Sequence, residues 1–313
     1  MAKTNGKLPS TNGVDTLHVT IWTPDDQEVV GVVQISHGMI EYIDRYDRFA
    51  RFLNEHGYVV VGNDHLGHGQ TAKNEEELGY MNAKDPSATL VHDLKRVSHC
   101  IKKRYPSVPF FLLGHSMGSF LARRYASLYG SELDGLLLLG TGNQSKATLM
   151  AAYSVLSLLE KRYGSRHRSR LMEVLAFGPY QLPLLFEPSL HAWVTRDDKI
   201  LDAYDHDPFC TFLFTLKGYR ALFDTLRFIE EKHNIDRIPK ELPVYITGGS
   251  KDPVGHYGKD IEALASCYRN HHMTDVTSRV MPFARHELLN ELQYELTQEE
   301  ILAWLQQKTE EAQ

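Results

Sequence analysis

The chain has 313 residues, 42% of them hydrophobic and 24% charged, the balance of a globular chain with a sizeable core. Its formal net charge of −6 argues against a nucleic-acid binder, which presents a basic face. The three cysteines, Cys100, Cys210 and Cys267, are far apart with no Cys-x-x-Cys pair, which argues against zinc and disulfide frameworks. The opening MAKTNGKLPSTNG is polar and does not read as a secretory signal. No run reaches the roughly 18 apolar residues of a membrane span, so a cytoplasmic protein is expected.

Thr16–Thr23 alternates as a half-exposed strand does, and Asp25-Asp26 reads as a turn. Val29–Ile35 is nearly all apolar, the pattern of a strand buried on both faces, and runs into Ser36-His37-Gly38-Met39. A helix is predicted from Asp44 to His56, with Tyr46, Phe49, Ala50 and Leu53 on one face and Gly57 as its stop. Tyr58–Val61 is the next buried strand, and it ends in Asn63-Asp64-His65-Leu66-Gly67-His68-Gly69. Pro86-Ser87 opens a long helix with an inward stripe of Leu90, Leu94, Val97, Ile101 and Tyr105, and Pro106 terminates it. Phe110–Leu113 and Leu133–Leu139 are further buried strands.

Strands and helices alternate up to this point, which predicts an α/β protein with a parallel sheet covered on both faces. From about Asn143 to Cys210 no convincing strand occurs. Ala147–Leu159 and Leu171–Phe177 read as helices, and Pro179, Pro183 and Pro188 break up the next stretch. The expected organisation is a core of residues 1–142 and 216–313 with a mainly helical cap inserted at 143–215. The pattern then resumes with a helix at Leu216–Glu231, a strand at Pro243–Thr247, a helix at Ile261–Tyr268, a strand at Thr277–Met281 and a last helix around Glu287–Gln306.

The chemistry concentrates after the strand at Phe110–Leu113. Gly114-His115-Ser116-Met117-Gly118 is a Gly-x-Ser-x-Gly pattern set between a strand and a helix. A nucleophile elbow needs that context, because a tight strand-to-helix turn exposes one serine in a strained conformation. Serine is a poor nucleophile until a base lies within hydrogen-bond reach, and the base needs an orienting acid. In such sheets the order is serine, acid, histidine. Asp252 follows the Pro243–Thr247 strand and His286 follows the Thr277–Met281 strand, so all three would meet at the carboxyl edge of the sheet. The other histidines lack that placement: His115 sits inside the elbow and is expected to point elsewhere, and His65 and His68 precede the serine. Backbone N–H groups of Met117, after the nucleophile, and Met39, after the Val29–Ile35 strand, are the expected oxyanion donors.

The set HGMIEY (His37–Tyr42), NDHLGHGQT (Asn63–Thr71), GHSMG (Gly114–Gly118), GSKDPVG (Gly248–Gly255) and RHELLNE (Arg285–Glu291) resembles α/β-hydrolases. Within them it is most similar to the monoacylglycerol lipase and lysophospholipase-like branch, which also carries the serine aminopeptidase-like name. The resemblance runs from about Leu17 to Leu305. It implies an α/β-hydrolase fold, a triad on Ser116, Asp252 and His286, and an oxyanion hole at Met39 and Met117. Ile40 and Tyr42 depart from the usual His-Gly-x-Gly-Glu-His, where a small residue and a histidine stand, and this puts them at the mouth of the site as substrate contacts.

Leu149, Met150, Tyr153, Leu156, Leu158 and Leu159 make one cap helix apolar around much of its girth, and Phe177, Tyr180, Leu182, Leu184, Leu185 and Phe186 add apolar surface. This is either an acyl-chain groove lined by Leu149, Tyr153 and Leu156, with a face that touches membranes transiently, or the cap's own small core. The expected activity is a serine carboxylic-ester hydrolase working through an acyl-enzyme on monoacylglycerol or lysophospholipid-type lipids, without metal or organic cofactor. A thioesterase or aminopeptidase is the alternative within the fold; a non-catalytic binding protein of the same fold is the alternative outside enzymes.

Overall fold

The computed structural model describes residues 2–25, 27–184 and 186–312, so the sequence readings at Asp26 and Leu185 lie outside the described residues. Its strands are β1 (Ala2–Pro9), β2 (Thr16–Thr23), β3 (Gly31–Ser36), β4 (Tyr58–Asn63), β5 (Phe110–His115), β6 (Gly135–Leu139), β7 (Val244–Gly249) and β8 (Val276–Met281). They form one sheet in the order β1-β2-β4-β3-β5-β6-β7-β8. β2 runs antiparallel to both β1 and β4; every pairing from β4 to β8 is parallel.

Strand parity divides the interior into two cores. Phe110 and Leu112, with Leu136 and Leu138, face one side; Phe111 and Leu113, with Leu137 and Leu139, face the other. Burial on both faces explains why β3, β4, β5 and β6 read as unbroken apolar runs rather than alternating ones. Helix α1 (Asp47–Glu55) covers one face, joined there by α10 (Tyr294–Ala312). The other face carries α2 (Pro86–Arg104), α3 (Met117–Tyr129), α7 (Leu216–Glu230), the short α8 (Lys232–Ile235) and α9 (Lys259–Asn270).

Between β6 and α7 the chain forms α4 (Lys146–Tyr163), α5 (Arg170–Gln181) and α6 (Asp198–His206). Side-chain caps start each of them: Ser145 accepts from Thr148, Ser169 from Met172, and Asp197 from Lys199 and Ile200. The segment after α5 is fastened to the loop following β8. Arg285 donates to the carbonyls of Ala192 and Thr195 at 2.7 and 3.1 Å, and the Glu287 N–H donates to Val194 at 2.8 Å.

Three sequence readings are corrected. The helix predicted to start at Asp44 opens with a separate 3₁₀ turn, Ile43–Tyr46, because Asp64 accepts the Ile43 N–H at 2.8 Å and bends the entry. Pro179 lies inside α5 rather than after it. The polar N-terminal stretch, given no element, is edge strand β1; its pairing rests on backbone bonds, and its side chains are almost all exposed. No helix among the described residues is long and apolar enough to cross a membrane.

Candidate active site

Ser116 stands between β5 and α3 with φ +50°, a left-handed conformation that L residues other than glycine rarely adopt. Main-chain bonds hold it there. Its N–H donates to the Leu139 carbonyl at 2.9 Å, and its own carbonyl accepts from Ser119 at 2.8 Å. The flanking glycines are required by space: a Cβ on Gly118 would overlap the Ser36 carbonyl oxygen, and one on Gly114 would overlap the Gly118 backbone. Met117 opens α3, so its N–H has no acceptor within the helix.

Asp252 and His286 come from the loops after β7 and β8 and are both buried. His286 Nδ1 lies 2.9 Å from Asp252 Oδ2. The other carboxylate oxygen accepts the Val254 N–H at 2.9 Å, which fixes the carboxylate plane. With Nδ1 committed to the acid, Nε2 is the ring nitrogen that remains for other partners. Ser116 and His286 line one cavity of about 370 Å³, together with Met39 and Met117.

Helices α4, α5 and α7 all contribute to the lining of this cavity. Phe177 and Tyr180 at the end of α5 pack on Trp193, which lies 5.1 Å from His286, and Thr148 at the start of α4 lines the same cavity. Val155 of α4, Met172 of α5 and Leu222, Phe223 and Leu226 of α7 add apolar lining. Burial pushes the Tyr180 hydroxyl up to about 12, with help from the Asp252 charge, so it stays a neutral donor.

The loop after β3 is organised by Glu41. Its buried carboxylate accepts from the Gly38 N–H, from His115 Nδ1 at 2.8 Å, from Tyr46 Oη at 3.1 Å and from Arg45 at 3.2 Å. Burial opposes its charge, but His115 and then Arg45 overcome this and hold the carboxyl well below its usual range. Burial likewise pulls His115 down, and the Glu41 charge reverses that, so its imidazole titrates above the ordinary histidine value. Arg45 also clamps Glu287, the neighbour of His286, through two bonds of 2.5 and 2.7 Å. Behind the loop, burial drives His37 to about 4 and His68 to about 3, so both are neutral braces. His37 Nε2 accepts the His65 N–H at 2.9 Å, which leaves Nδ1 to donate to the Gly38 carbonyl at 2.8 Å.

Of the sequence-predicted substrate contacts, Ile40 and Leu149 line the cavity, but Tyr42, Tyr153 and Leu156 do not. Tyr42 turns outward to Asp207, its hydroxyl donating at 2.8 Å. Tyr153 donates to Asp224 on α7 and lies under Arg220 and Arg227. Leu156 is fully buried in the core. His115, expected to point elsewhere, lines the cavity with its ring 4.8 Å from that of His286. Sequence reading missed Trp193, Tyr204 and Glu287 as lining residues. Glu287 was open to discovery as the neighbour of the histidine; Trp193 and Tyr204 carry no spacing signal.

A family profile described as "Serine aminopeptidase, S33" matches residues 27–293. The chain belongs to the serine aminopeptidase, S33 family. Among relatives of this family member, the monoacylglycerol lipase of Mycolicibacterium smegmatis is 26% identical over 291 residues, 91% of each chain. The human monoglyceride lipase is 27% identical over 288 residues, covering 89% of this chain and 83% of its own. Among solved structures, a thermostable carboxyl esterase from Bacillus coagulans in complex with glycerol superposes with a TM-score of 0.91 at 28% identity, over 99% of both chains. The S33 chain therefore has the α/β-hydrolase fold and is a hydrolase similar to esterases and monoacylglycerol lipases.

Proposed function

We propose that the chain is a serine carboxylic-ester hydrolase that cleaves single-chain acyl esters of small alcohols, with monoacylglycerols as the leading class and lysophospholipids next. The observation that carries this reading is the His286–Asp252 pair, joined at 2.9 Å, on a cavity that also holds a left-handed Ser116 and an apolar lining that includes Leu149, Val155, Phe223 and Leu226. Ser116 Oγ attacks the ester carbonyl as His286 Nε2 takes its proton. The Met39 and Met117 N–H groups receive the oxyanion. The alcohol leaves with the proton from His286, water loses a proton to the same nitrogen, and the acyl-enzyme is hydrolysed. Asp252 holds the imidazole in the tautomer that this cycle needs.

In this reading residues 143–215 act as a cap, the acyl chain lies between α4 and α5, and the alcohol faces Trp193 and Tyr204. The outer face of the cap leaves Met150 and Leu158 about 70% exposed, which suits transient contact with a lipid surface. Glu41 is saturated by four donors, which argues against its holding the amine of a peptide substrate.

The test is labelling by a fluorophosphonate probe together with an ester screen. Wild type should label and hydrolyse a monoacylglycerol faster than a lysophosphatidylcholine, an acyl thioester or an aminoacyl amide. Ser116→Ala should lose labelling and about six orders of magnitude in kcat, by analogy with subtilisin, at an unchanged melting temperature. Retained activity in that variant overturns the mechanism; faster turnover of the thioester or the amide moves the assignment to the corresponding alternative.

A further inference from the structure

The four residues Gly38-Met39-Ile40-Glu41 form a turn whose two ends are joined by the bond from the Gly38 N–H to the Glu41 carboxylate. Met39 and Ile40 are the central residues. Ile40 has φ +57°, at a turn position where positive φ ordinarily selects glycine. A β-branched side chain is among the least tolerant of that conformation. Contacts beyond the Ile40 backbone must therefore hold it, because relaxation about Ile40 would displace the backbone of Met39 beside it, and with it the Met39 N–H.

The restraint comes from α6 and the residues just after it. Tyr204 Oη donates to the Ile40 carbonyl at 3.2 Å. Tyr204 itself is buried between the Arg45 guanidinium, 4.9 Å from its ring centre, and His191, 5.0 Å away and paired to Asp205. A second tether lies two residues further along the loop, where Tyr42 Oη donates to Asp207 at 2.8 Å and its ring meets Phe209 edge-on. The two tyrosines point in opposite directions across the same seam, one from α6 onto the loop and one from the loop onto the end of α6.

We propose that Tyr204 is a positioning residue for the oxyanion hole: its hydroxyl holds Ile40 in the left-handed conformation and so keeps the Met39 N–H aimed at the reaction centre, with Tyr42–Asp207 as the auxiliary tether. The inference rests on the acyl-transfer reading above. It ties the helical segment to rate as well as to substrate shape, because a residue at position 204 sets the geometry of a loop 164 positions earlier.

The experiment is a double-mutant cycle on a soluble p-nitrophenyl ester, with the melting temperature of each variant measured. Tyr204→Phe keeps the ring over Arg45 and removes only the hydroxyl. In the natural Ile40 background it should lower kcat about tenfold with KM changed less than about twofold, short of the ~10²-fold cost of deleting an oxyanion donor. Ile40→Gly makes the left-handed conformation free of side-chain strain, so in that background the same substitution should change kcat by less than about twofold. An equal kcat loss in both backgrounds, no loss in either, or a change confined to KM overturns the proposal. Should Tyr204→Phe fail to fold, Tyr42→Phe enters the same cycle with a smaller expected kcat loss, about threefold, and the same criterion of non-additivity. Ser116→Ala separates the two readings. If it keeps hydrolysis, the mechanism falls and this inference with it; if it abolishes hydrolysis while the cycle is additive, only this inference falls.

Discussion

Two loops at the carboxyl edge of the sheet each hold one non-glycine residue at positive φ, and they hold it by different means. At the elbow, Ser116 is fixed by its own backbone bonds and by two glycines packed against carbonyl oxygens. After β3, Ile40 is fixed by side chains: Glu41 closes the turn and Tyr204 reaches in from α6. The strain at either position is worth about 1–2 kcal/mol. The elbow is therefore expected to yield to changes that its backbone cannot fit, and the β3 loop to removal of a single carboxylate or hydroxyl.

Substitutions at the two loops test that contrast. Gly118→Ala puts a methyl group into the Ser36 carbonyl and should cost more than about 4 kcal/mol, leaving little folded or probe-labelled protein in a purification and labelling assay. Glu41→Ala removes the buried carboxylate shared by Arg45, His115, Tyr46 and the Gly38 N–H and should cost about 3 kcal/mol in urea unfolding, less than the elbow lesion because Arg45 keeps Glu287. The pH dependence of melting probes the histidine brace behind the β3 loop. Between pH 6.5 and about 4, His37 and His68 stay neutral in the fold but are protonated in the unfolded chain. Unfolding then takes up protons, so stability falls as pH drops through that window. Asp64, raised to about 7 by burial, is protonated in the fold and ionised when unfolded, and offsets one of them. A thermal midpoint that rises on acidification from pH 6.5 to 4.5 would contradict the neutral brace. The smallest effect belongs to Ser119→Ala, which removes the 2.6 Å side-chain bond to the Ser116 carbonyl. With the backbone bonds intact it should cost under about 1 kcal/mol and less than about twofold in kcat.

The same contrast explains what the sequence made legible. Buried parallel strands must be apolar on both faces, so β3 to β7 stood out, and the loops at their ends inherited a fixed order. Ser116, Asp252 and His286 could be singled out because each follows a strand end and belongs to a small set of allowed residue types, and the fold places all three at the carboxyl edge of the sheet. The N-terminal strand β1 was missed because an edge strand paired through its backbone needs no apolar code. Tyr153 and Leu156 were assigned to the substrate groove because helical spacing reports which residues share a stripe, not whether the stripe faces a cavity or a core. In the fold Tyr153 turns to Asp224, and Leu156 closes on the interior. Tyr204 was out of reach for a related reason: its partner is a backbone carbonyl far back in the chain, and nothing in either local pattern announces the meeting.

Arg45 spans the longest of these distances. Its forked guanidinium joins Glu41, four residues before it, to Glu287, 242 residues after it. On a ribosome, where the chain emerges N-terminus first and domains fold as they appear, the β3 loop is made early and must wait. Until the residues beyond β8 have left the exit tunnel, its arginine has Glu41 alone as a counter-charge. Only then can it form the pair with Glu287, the residue beside His286. On the acyl-transfer reading proposed above, the nascent chain until then holds Ser116 but lacks His286, and hydrolysis waits for the last stage of synthesis.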